Sequence, residues 1–142
     1  MDKIKIVTKD GGKVPVYGTN SAAGADIFSN EDFVLPTGQS RLVHTGIYIE
    51  LPEGYEAQIR SRSGLSLKQG VVVLNSPGTI DSDYRGEVCV ILHNFSETTH
   101  NFYKGDRIAQ MVIAKHEHAE FEIVEQLSET QRGEGGFGST GK

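Results

Sequence analysis

The chain has 142 residues, of which 17 are glycine, four are proline and one is cysteine, and its formal net charge at pH 7 is −5. A chain of this length forms one domain, and its glycines and prolines predict many turns between short elements, which favours β architecture. The acidic balance excludes a broad basic surface for nucleic acid or an anionic membrane, and the single Cys89 excludes an intrachain disulfide and a cysteine-rich zinc site.

The N-terminal residues Met1 to Ile6 lack the apolar core of a signal peptide. The longest purely apolar run, Val88–Leu92, is too short to span a bilayer. We therefore expect an intracellular protein with no membrane segment: cytoplasmic in a cell, or inside the host cell if a virus or phage encodes it.

In chain order, alternating apolar and polar residues predict half-buried strands at Ile4–Val7, Gln39–Val43, Gly46–Glu50, Tyr55–Arg60 and Phe121–Val124. Near-continuous apolar runs predict strands buried on both faces at Val71–Leu74, Val88–Leu92 and Ile108–Ala114, although the last also fits a short helix. Helical periodicity is hardly visible elsewhere. Many short strands separated by turn residues predict an all-β sandwich, barrel or jelly roll.

The last segment changes character after Leu127. It is rich in glycine and contains one apolar side chain, Phe137, so it cannot pack as a regular element. Composition alone is typical of a disordered tail, but an aromatic ring framed by glycines has much to gain from stacking on another group. We therefore divide the chain into a β domain, residues 1–127, and a mobile arm, residues 128–142.

Several polar residues are candidates for a site, and each has a structural alternative. Arg62, Ser63 and Gly64 offer a cation and two neutral donors in sequence, which suits phosphate oxygens but equally suits a solvated turn. Asp81 follows apolar residues and should be partly shielded, either as the cap of a turn or as a general base. Asp26 follows a turn of small residues that it could cap, and Tyr84 could be a core aromatic.

Five segments combine glycines with a few polar groups: Ala23–Ile27, Arg62–Ser66, Gly78–Glu87, Gly105–Met111 and Arg132–Thr140. In this order and spacing they resemble the five motifs of the homotrimeric dUTPase family, over nearly the whole chain from about Val14 to Lys142. The resemblance implies a distorted jelly-roll β-barrel or sandwich. It also implies hydrolysis of dUTP to dUMP and pyrophosphate by in-line attack of water on the α phosphorus. That reaction limits uracil incorporation into DNA and supplies dUMP for thymidylate synthesis.

The resemblance assigns roles near the phosphates. Asp81 matches the carboxylate that deprotonates the attacking water, and Asp26 matches the one that holds a water of a bound Mg²⁺. Arg62, Ser63, Gly64 and Gln110 would bind phosphate oxygens, with Ser63 on the oxygen that bridges the α and β phosphates. Donors at that atom stabilise the charge that develops as the bond breaks.

The resemblance also assigns the nucleoside and the arm. Tyr84 would pack under the deoxyribose and exclude a 2′-hydroxyl. The stretch from Val73 to Thr79 is predicted to be a hairpin whose backbone and side chains recognise uracil, through Asn75, Gly78, Thr79 and Ile80. The arm would close over the nucleotide, with phosphate contacts from Arg132, Gly138, Ser139 and Thr140 and with Phe137 stacked on the uracil.

The family builds each site from three subunits, so the partners implied are dUTP and two further copies of the chain. A regulatory protein partner is compatible with the same fold. Asp106 and Arg107 are expected to pair with each other and support a turn. Ala25 stands where many relatives carry an aromatic residue, and Cys89 where several carry a lysine.

Two other functions fit the pattern less well. A dCTP deaminase shares the fold, but its catalytic glutamate would fall at Ile91, which supplies no base. A nucleotide-gated binding protein without catalysis is disfavoured because Asp81, Ser63 and Arg132 are all present.

Overall fold

The structure is a computed structural model that describes residues 3–141; Met1 and Asp2 of the predicted N-terminal segment and Lys142 of the predicted arm lie outside the described residues. Its elements in chain order are β1 (Lys5–Thr8), β2 (Val16–Tyr17), β3 (Ala25–Phe28), β4 (Phe33–Leu35), β5 (Ser40–His44), β6 (Ile47–Glu50), β7 (Tyr55–Arg60), α1 (Ser63–Gln69), β8 (Val71–Val73), β9 (Gly78–Ile80), β10 (Cys89–Asn94), β11 (His100–Phe102) and β12 (Arg107–Lys115).

All the strand pairs are antiparallel, and they form four small sheets with the orders β1-β6, β5-β10-β8, β11-β4 and β2-β3-β12-β7-β9. The predicted all-β class is therefore confirmed. Among residues 3–141, no helix is long and apolar enough to cross a bilayer.

One apolar core lies between these sheets. Its fully buried side chains include Ile27, Leu35, Ile47, Leu92 and Ile108. The apolar runs of β8 and β10 do not bury both faces as predicted, because buried and half-buried positions alternate along both strands. The segment at 108–114, which also fitted a helix, lies within strand β12.

The helix α1 was not predicted, because Ser63 and Gly64 fitted a solvated turn or a set of phosphate donors, and neither interpretation implies a helix. It has seven residues and one buried side chain, Leu65, so it is too short and too exposed to produce a visible helical period. Gly70 ends the helix with φ of 66°, the left-handed conformation that favours glycine, and its N–H bonds to carbonyls of the last turn.

The predicted hairpin between Val73 and Thr79 is wrong. Strand β8 pairs with β10 and strand β9 pairs with β7, so the connecting residues cross from one sheet to another. The turn residues Asn75, Ser76 and Pro77 mark a change of direction correctly, but turn chemistry does not specify which edge the next strand joins.

The predicted strand at Phe121–Val124 is also wrong, since the structure has no strand there. Phe121 is 92% exposed and Ile123 is 99% exposed. A strand requires an edge that accepts its hydrogen bonds, and this segment pairs with no strand of its own chain among the described residues. Its alternating pattern is therefore left without a partner in the single subunit.

Asn94 is a buried polar residue that joins three parts of the chain. Its side chain is fully buried, and its amide nitrogen donates to the carbonyls of Leu35 at 3.0 Å and Thr98 at 2.8 Å. Its amide oxygen accepts from the backbone and hydroxyl of Ser96 at 2.9 Å and 2.7 Å. The amide therefore ties the end of β10 to β4 and to the loop that follows.

We predict that Asn94→Ala lowers the free energy of unfolding by about 2–4 kcal/mol, because the buried carbonyl of Leu35 and the partly buried groups of Ser96 and Thr98 lose their partner. Chemical denaturation at one fixed protein concentration measures this change. The matched control is Thr98→Ala, which keeps the backbone acceptor and is expected to change stability by less than about 0.5 kcal/mol. Equal stability of Asn94→Ala and wild type would contradict this account.

Candidate active site

The first group of polar residues forms where β3 and β12 pair. Register places Gln110 opposite Asp26 on one side and opposite Arg60 of β7 on the other. The carboxylate of Asp26 lies between two guanidinium groups, with Oδ1 3.3 Å from Nε of Arg62 and Oδ2 3.4 Å from Nε of Arg107. Asp26 is partly buried, so salt screens these ion pairs less than it screens pairs on the open surface.

Gln110 is fixed in this group by a hydrogen bond and by a glycine. Its Nε2 donates to the carbonyl of Ser61 at 2.9 Å. A Cβ atom at Gly24 would lie only 2.2 Å from Oε1 of Gln110 and 3.3 Å from its Cβ. Residue 24 must therefore lack a side chain for Gln110 to hold this position.

Arg62 immediately precedes α1, whose first turn contains Ser63 and Gly64, both exposed. Arg62 and Arg107 also line a cavity of about 430 Å³, together with Asn101 and Asp106. The structure therefore brings Asp26, Arg62 and Gln110 together as predicted, with two cations and neutral donors at one open surface.

Arg107 was misassigned by the sequence analysis. The expected Asp106–Arg107 pair does not form: Arg107 contacts Asp26 instead, and Oδ2 of Asp106 accepts from the backbone N–H of Tyr103 at 2.8 Å. Asp106 belongs to the turn before β12, whereas Arg107 is the first residue of that strand and lies opposite Phe28 of β3, next to Asp26.

The second group lines a cavity of about 210 Å³. The predicted site residues on its walls are Asn75, Thr79, Ile80, Asp81 and Tyr84. Asp81 follows directly after β9, which pairs with β7, so the sheet fixes where the loop from Asp81 begins. The prediction that Asp81 is partly shielded is wrong for the single subunit, in which this residue is exposed.

Tyr84 is held against the loop at this cavity. Its hydroxyl donates to the carbonyl of Glu87 at 2.7 Å, and the side chain remains 44% exposed. A Cβ atom at Gly86 would lie 2.6 Å from Cζ of the Tyr84 ring. The absence of a side chain at Gly86 thus leaves space for the ring. Because the ring is exposed, Tyr84 is not a core aromatic.

The two groups do not meet in one chain. Among the described residues, no hydrogen bond or ion pair joins Asp26, Arg62 or Gln110 to Asp81 or Tyr84. The two cavities share no lining residue.

The arm joins neither group, and every hydrogen bond that its described residues make lies within the arm. Nε of Arg132 donates to the carbonyl of Gly135 at 2.7 Å, and the N–H of Ser139 donates to the carbonyl of Gly136 at 3.1 Å. Phe137 is fully exposed, with φ of 51°. The structure therefore leaves the predicted arm residues Arg132, Phe137, Gly138, Ser139 and Thr140 away from the other site residues.

A histidine, a carboxylate and a thiol lie together beside the smaller cavity, which Glu87 and Cys89 help to line. The hydrogen bond with Glu87 raises the pKa of His44. Burial raises the pKa of Glu87, but its hydrogen bonds with His44 and with the N–H of Gly46 outweigh burial and lower that pKa overall. Burial and the negative charge of Glu87 raise the pKa of Cys89 to about 11, so this thiol is an un-ionised group at neutral pH.

Known proteins resemble the chain over its whole length. The family model described as dUTPase matches residues 10–141. A deoxyuridine 5′-triphosphate nucleotidohydrolase of Cytophaga hutchinsonii is 55% identical over 141 residues, which cover 98% of this chain and 92% of that protein. One of Clostridium tetani is 55% identical over 140 residues, which cover 99% and 96% respectively.

The fold agrees with this assignment. The dUTPase of Staphylococcus bacteriophage 80alpha, solved as a mutant with dUpNHpp, matches with a TM-score of 0.93 and 29% identity over 100% of both chains. Its match supports the predicted jelly-roll type of architecture. Sequence and fold together show that the chain belongs to the dUTPase family.

Proposed function

We propose that this chain hydrolyses dUTP to dUMP and pyrophosphate. The observation that carries the proposal is the cavity of about 210 Å³ with Asn75, Thr79, Asp81 and Tyr84 on its walls. Clefts that hold drug-sized ligands measure ~300–1,000 Å³, so the smaller volume suits one pyrimidine with part of its sugar. The family membership and the names of the relatives at 55% identity support the same activity.

In this proposal, the first group binds the phosphates. Arg62 supplies positive charge, Ser63 and Gly64 supply a hydroxyl and a backbone donor, and Gln110 supplies an amide. The contacts that hold Arg62 on Asp26 and Gln110 on Ser61 support this role, because donors that are already oriented do not need to reorganise during the reaction. Ser63 acts on the oxygen that bridges the α and β phosphates, where negative charge increases as the bond breaks.

The residues fit a Mg²⁺ ion bound chiefly by the substrate. Both carboxylate oxygens of Asp26 already face guanidinium groups at 3.3 Å and 3.4 Å, so Asp26 is better suited to hold a water of the ion than to bind it directly. Magnesium keeps several waters and takes few carboxylates when it binds with phosphates. When bound, the ion supplies neutralisation of phosphate charge.

Asp81 acts as the general base in this proposal. Its carboxylate orients a water in line with the α phosphorus and accepts a proton from it. Its exposure in the single subunit supports a role completed by assembly: a neighbouring copy brings the phosphate-binding group over the cavity and excludes bulk water.

Discrimination among nucleotides follows from the walls of the cavity. Asn75 and the backbone of Gly78 to Ile80 pair with the edge of uracil, which refuses cytosine through mismatched donors and acceptors. Tyr84 occupies the space of a 2′-hydroxyl and so excludes UTP. Steric exclusion by a ring held between Gly86 and the carbonyl of Glu87 requires no further contact.

The site is shared among three copies of the chain in this proposal. One copy supplies Asp26, Arg62, Ser63 and Gln110, a second supplies the cavity with Asp81, and a third supplies its arm. The separation of these groups within one chain supports this arrangement. The arm, residues 128–142, then orders over the nucleotide, with Phe137 on the uracil and Arg132, Gly138, Ser139 and Thr140 at the phosphates.

The reaction limits uracil incorporation into DNA and supplies dUMP, and we place it in the cytoplasm or in an infected cell. Deamination of dCTP is disfavoured because Ile91 lines the cavity where a base is needed, and the nearby Glu87 is bound to His44 and to backbone N–H groups.

A bacteriophage 80alpha dUTPase is described as controlling transfer of virulence genes. A regulatory partner of this chain would act in addition to hydrolysis.

A nucleotide panel tests the activity. With Mg²⁺, we expect pyrophosphate from dUTP and at least about 100-fold lower kcat/KM for dCTP, dTTP and UTP, since each analogue leaves a polar group unpaired or meets a wall. Phosphate-coupled detection of pyrophosphate and an ammonia assay measure both possible reactions. Ammonia from dCTP, or equal hydrolysis of UTP, would contradict the proposal.

Asp81→Asn is expected to keep nucleotide affinity and to lose about 10²–10⁴-fold in kcat, because the amide binds water but accepts no proton. The matched control is Asp83→Asn, an exposed carboxylate on the same loop, which should keep kcat within a few-fold. Titration with dUpNHpp measures affinity separately. If both variants hydrolyse dUTP equally, Asp81 is not the base.

Sharing of the site predicts complementation between two inactive chains. A chain that ends at Gln131 and full-length Asp81→Asn should each fold and each be nearly inactive alone. Co-expressed with different affinity tags and purified through both, they should recover about a third of the wild-type sites, because each mixed trimer has one site of three that combines Asp81 of one chain with the arm of the other. No recovery in the doubly tagged assembly would show that the parts are not shared in this way.

A further inference from the structure

Three side chains that can bind a metal come together where β5 pairs with the start of β10. Register pairs Cys89 of β10 directly with His44 of β5, and Glu87 lies two residues before Cys89. The ligand atoms of His44, Glu87 and Cys89 all lie within 4.8 Å of one another. Pairing of the strands therefore fixes a nitrogen, an oxygen and a sulfur ligand at one point.

The spacing fits a tetrahedral ion of the size of zinc. Nδ1 of His44 lies 3.7 Å from Sγ of Cys89 and 2.8 Å from Oε1 of Glu87. Tetrahedral bonds of about 2.0 Å to nitrogen and oxygen and about 2.3 Å to sulfur place the nitrogen about 3.5 Å from the sulfur and about 3.3 Å from the oxygen. The first separation needs almost no change, and the second opens by about half an ångström.

Glu87 is already oriented as a ligand. Its second oxygen, Oε2, accepts from the N–H of Thr45 at 3.1 Å and from the N–H of Gly46 at 2.9 Å. Oε1 is thereby directed at His44, and the carboxylate does not have to leave its backbone partners to bind an ion. Hydrogen bonds that orient a ligand in this way raise the affinity of metal sites.

The surface also leaves room for the ion and for a fourth ligand. The side chain of His44 is 53% exposed, that of Glu87 is 20% exposed, and Cys89 is partly buried. Three protein ligands at a partly open surface leave the remaining coordination position for water. The thiol of Cys89 releases its proton when zinc binds, and the resulting thiolate and the imidazole select zinc and similar ions over Mg²⁺, which prefers oxygen ligands.

We propose that His44, Glu87 and Cys89 form a binding site for Zn²⁺ beside the smaller cavity. The site is separate from the role of Asp26 toward Mg²⁺, and it does not depend on hydrolysis of dUTP. A bound ion would cross-link β5 to the residues that lead into β10, which include Glu87, whose carbonyl holds Tyr84.

The test is zinc binding by the full-length protein without nucleotide. Competition with a chromophoric chelator is expected to give one Zn²⁺ per chain, and Co²⁺ is expected to give the near-ultraviolet absorption of a cobalt–thiolate bond. Cys89→Ser, which barely changes the size of the side chain, should abolish this absorption and weaken zinc binding by at least about 10–100-fold. His44→Ala should weaken it similarly, and zinc should raise the Tm of the wild type but not that of Cys89→Ser or His44→Ala.

Two control variants separate this site from other histidines. His93→Ala removes a histidine on the same strand that bonds to Ser40 instead of Glu87, and it should bind zinc normally. The double variant His116→Ala/His118→Ala removes the exposed histidine pair and should also bind normally. Absence of stoichiometric zinc binding, undiminished binding by Cys89→Ser, or loss of binding in either control would overturn the proposal. Because no nucleotide is present, these outcomes do not depend on the proposed hydrolysis.

Discussion

Strand β12 is the constraint on which the group of Asp26, Arg62 and Gln110, the proposed phosphate-binding half of the site, depends. It pairs with β3 on one side and β7 on the other, so one register sets Gln110 between Asp26 and Arg60. A slip of one residue would turn Gln110 to the opposite face and would remove Ile108 or Met111 from the core. Burial of the apolar side chains on β12 therefore also fixes the position of Gln110 next to Asp26.

The sequence predicted the elements whose cause is local. Alternation of apolar and polar residues placed β1, β5, β6 and β7 to within about a residue, because successive side chains on a strand point to opposite faces. The short strands β2, β4 and β11 were not predicted, since two or three residues are too few to show an alternation of apolar and polar side chains. The two clearest errors, the hairpin after Val73 and the strand at Phe121, are errors of strand pairing. The alternation of residues within a segment does not specify which strand it pairs with.

The residues of the site were predicted, but several of the contacts that position them were not. Glycine-framed motifs identified Asp26, Arg62 and Gln110, which meet, and Asn75, Asp81 and Tyr84, which meet elsewhere. What escaped were the contacts made across strands, notably the pairing of Arg107 with Asp26 and the cluster of His44, Glu87 and Cys89. Residues 43 or 45 positions apart become neighbours only through register, which no motif contains.

The exposed segment after β12 bears on how a newly made subunit stays in solution. Phe121, Ile123 and Leu127 are 92%, 99% and 85% exposed, in a stretch without proline that alternates as a strand does. Such a stretch can pair with any open sheet edge, including the edges of aggregates. Glutamates at 120, 122 and 125 interrupt it, and their mutual repulsion acts as a gatekeeper during synthesis.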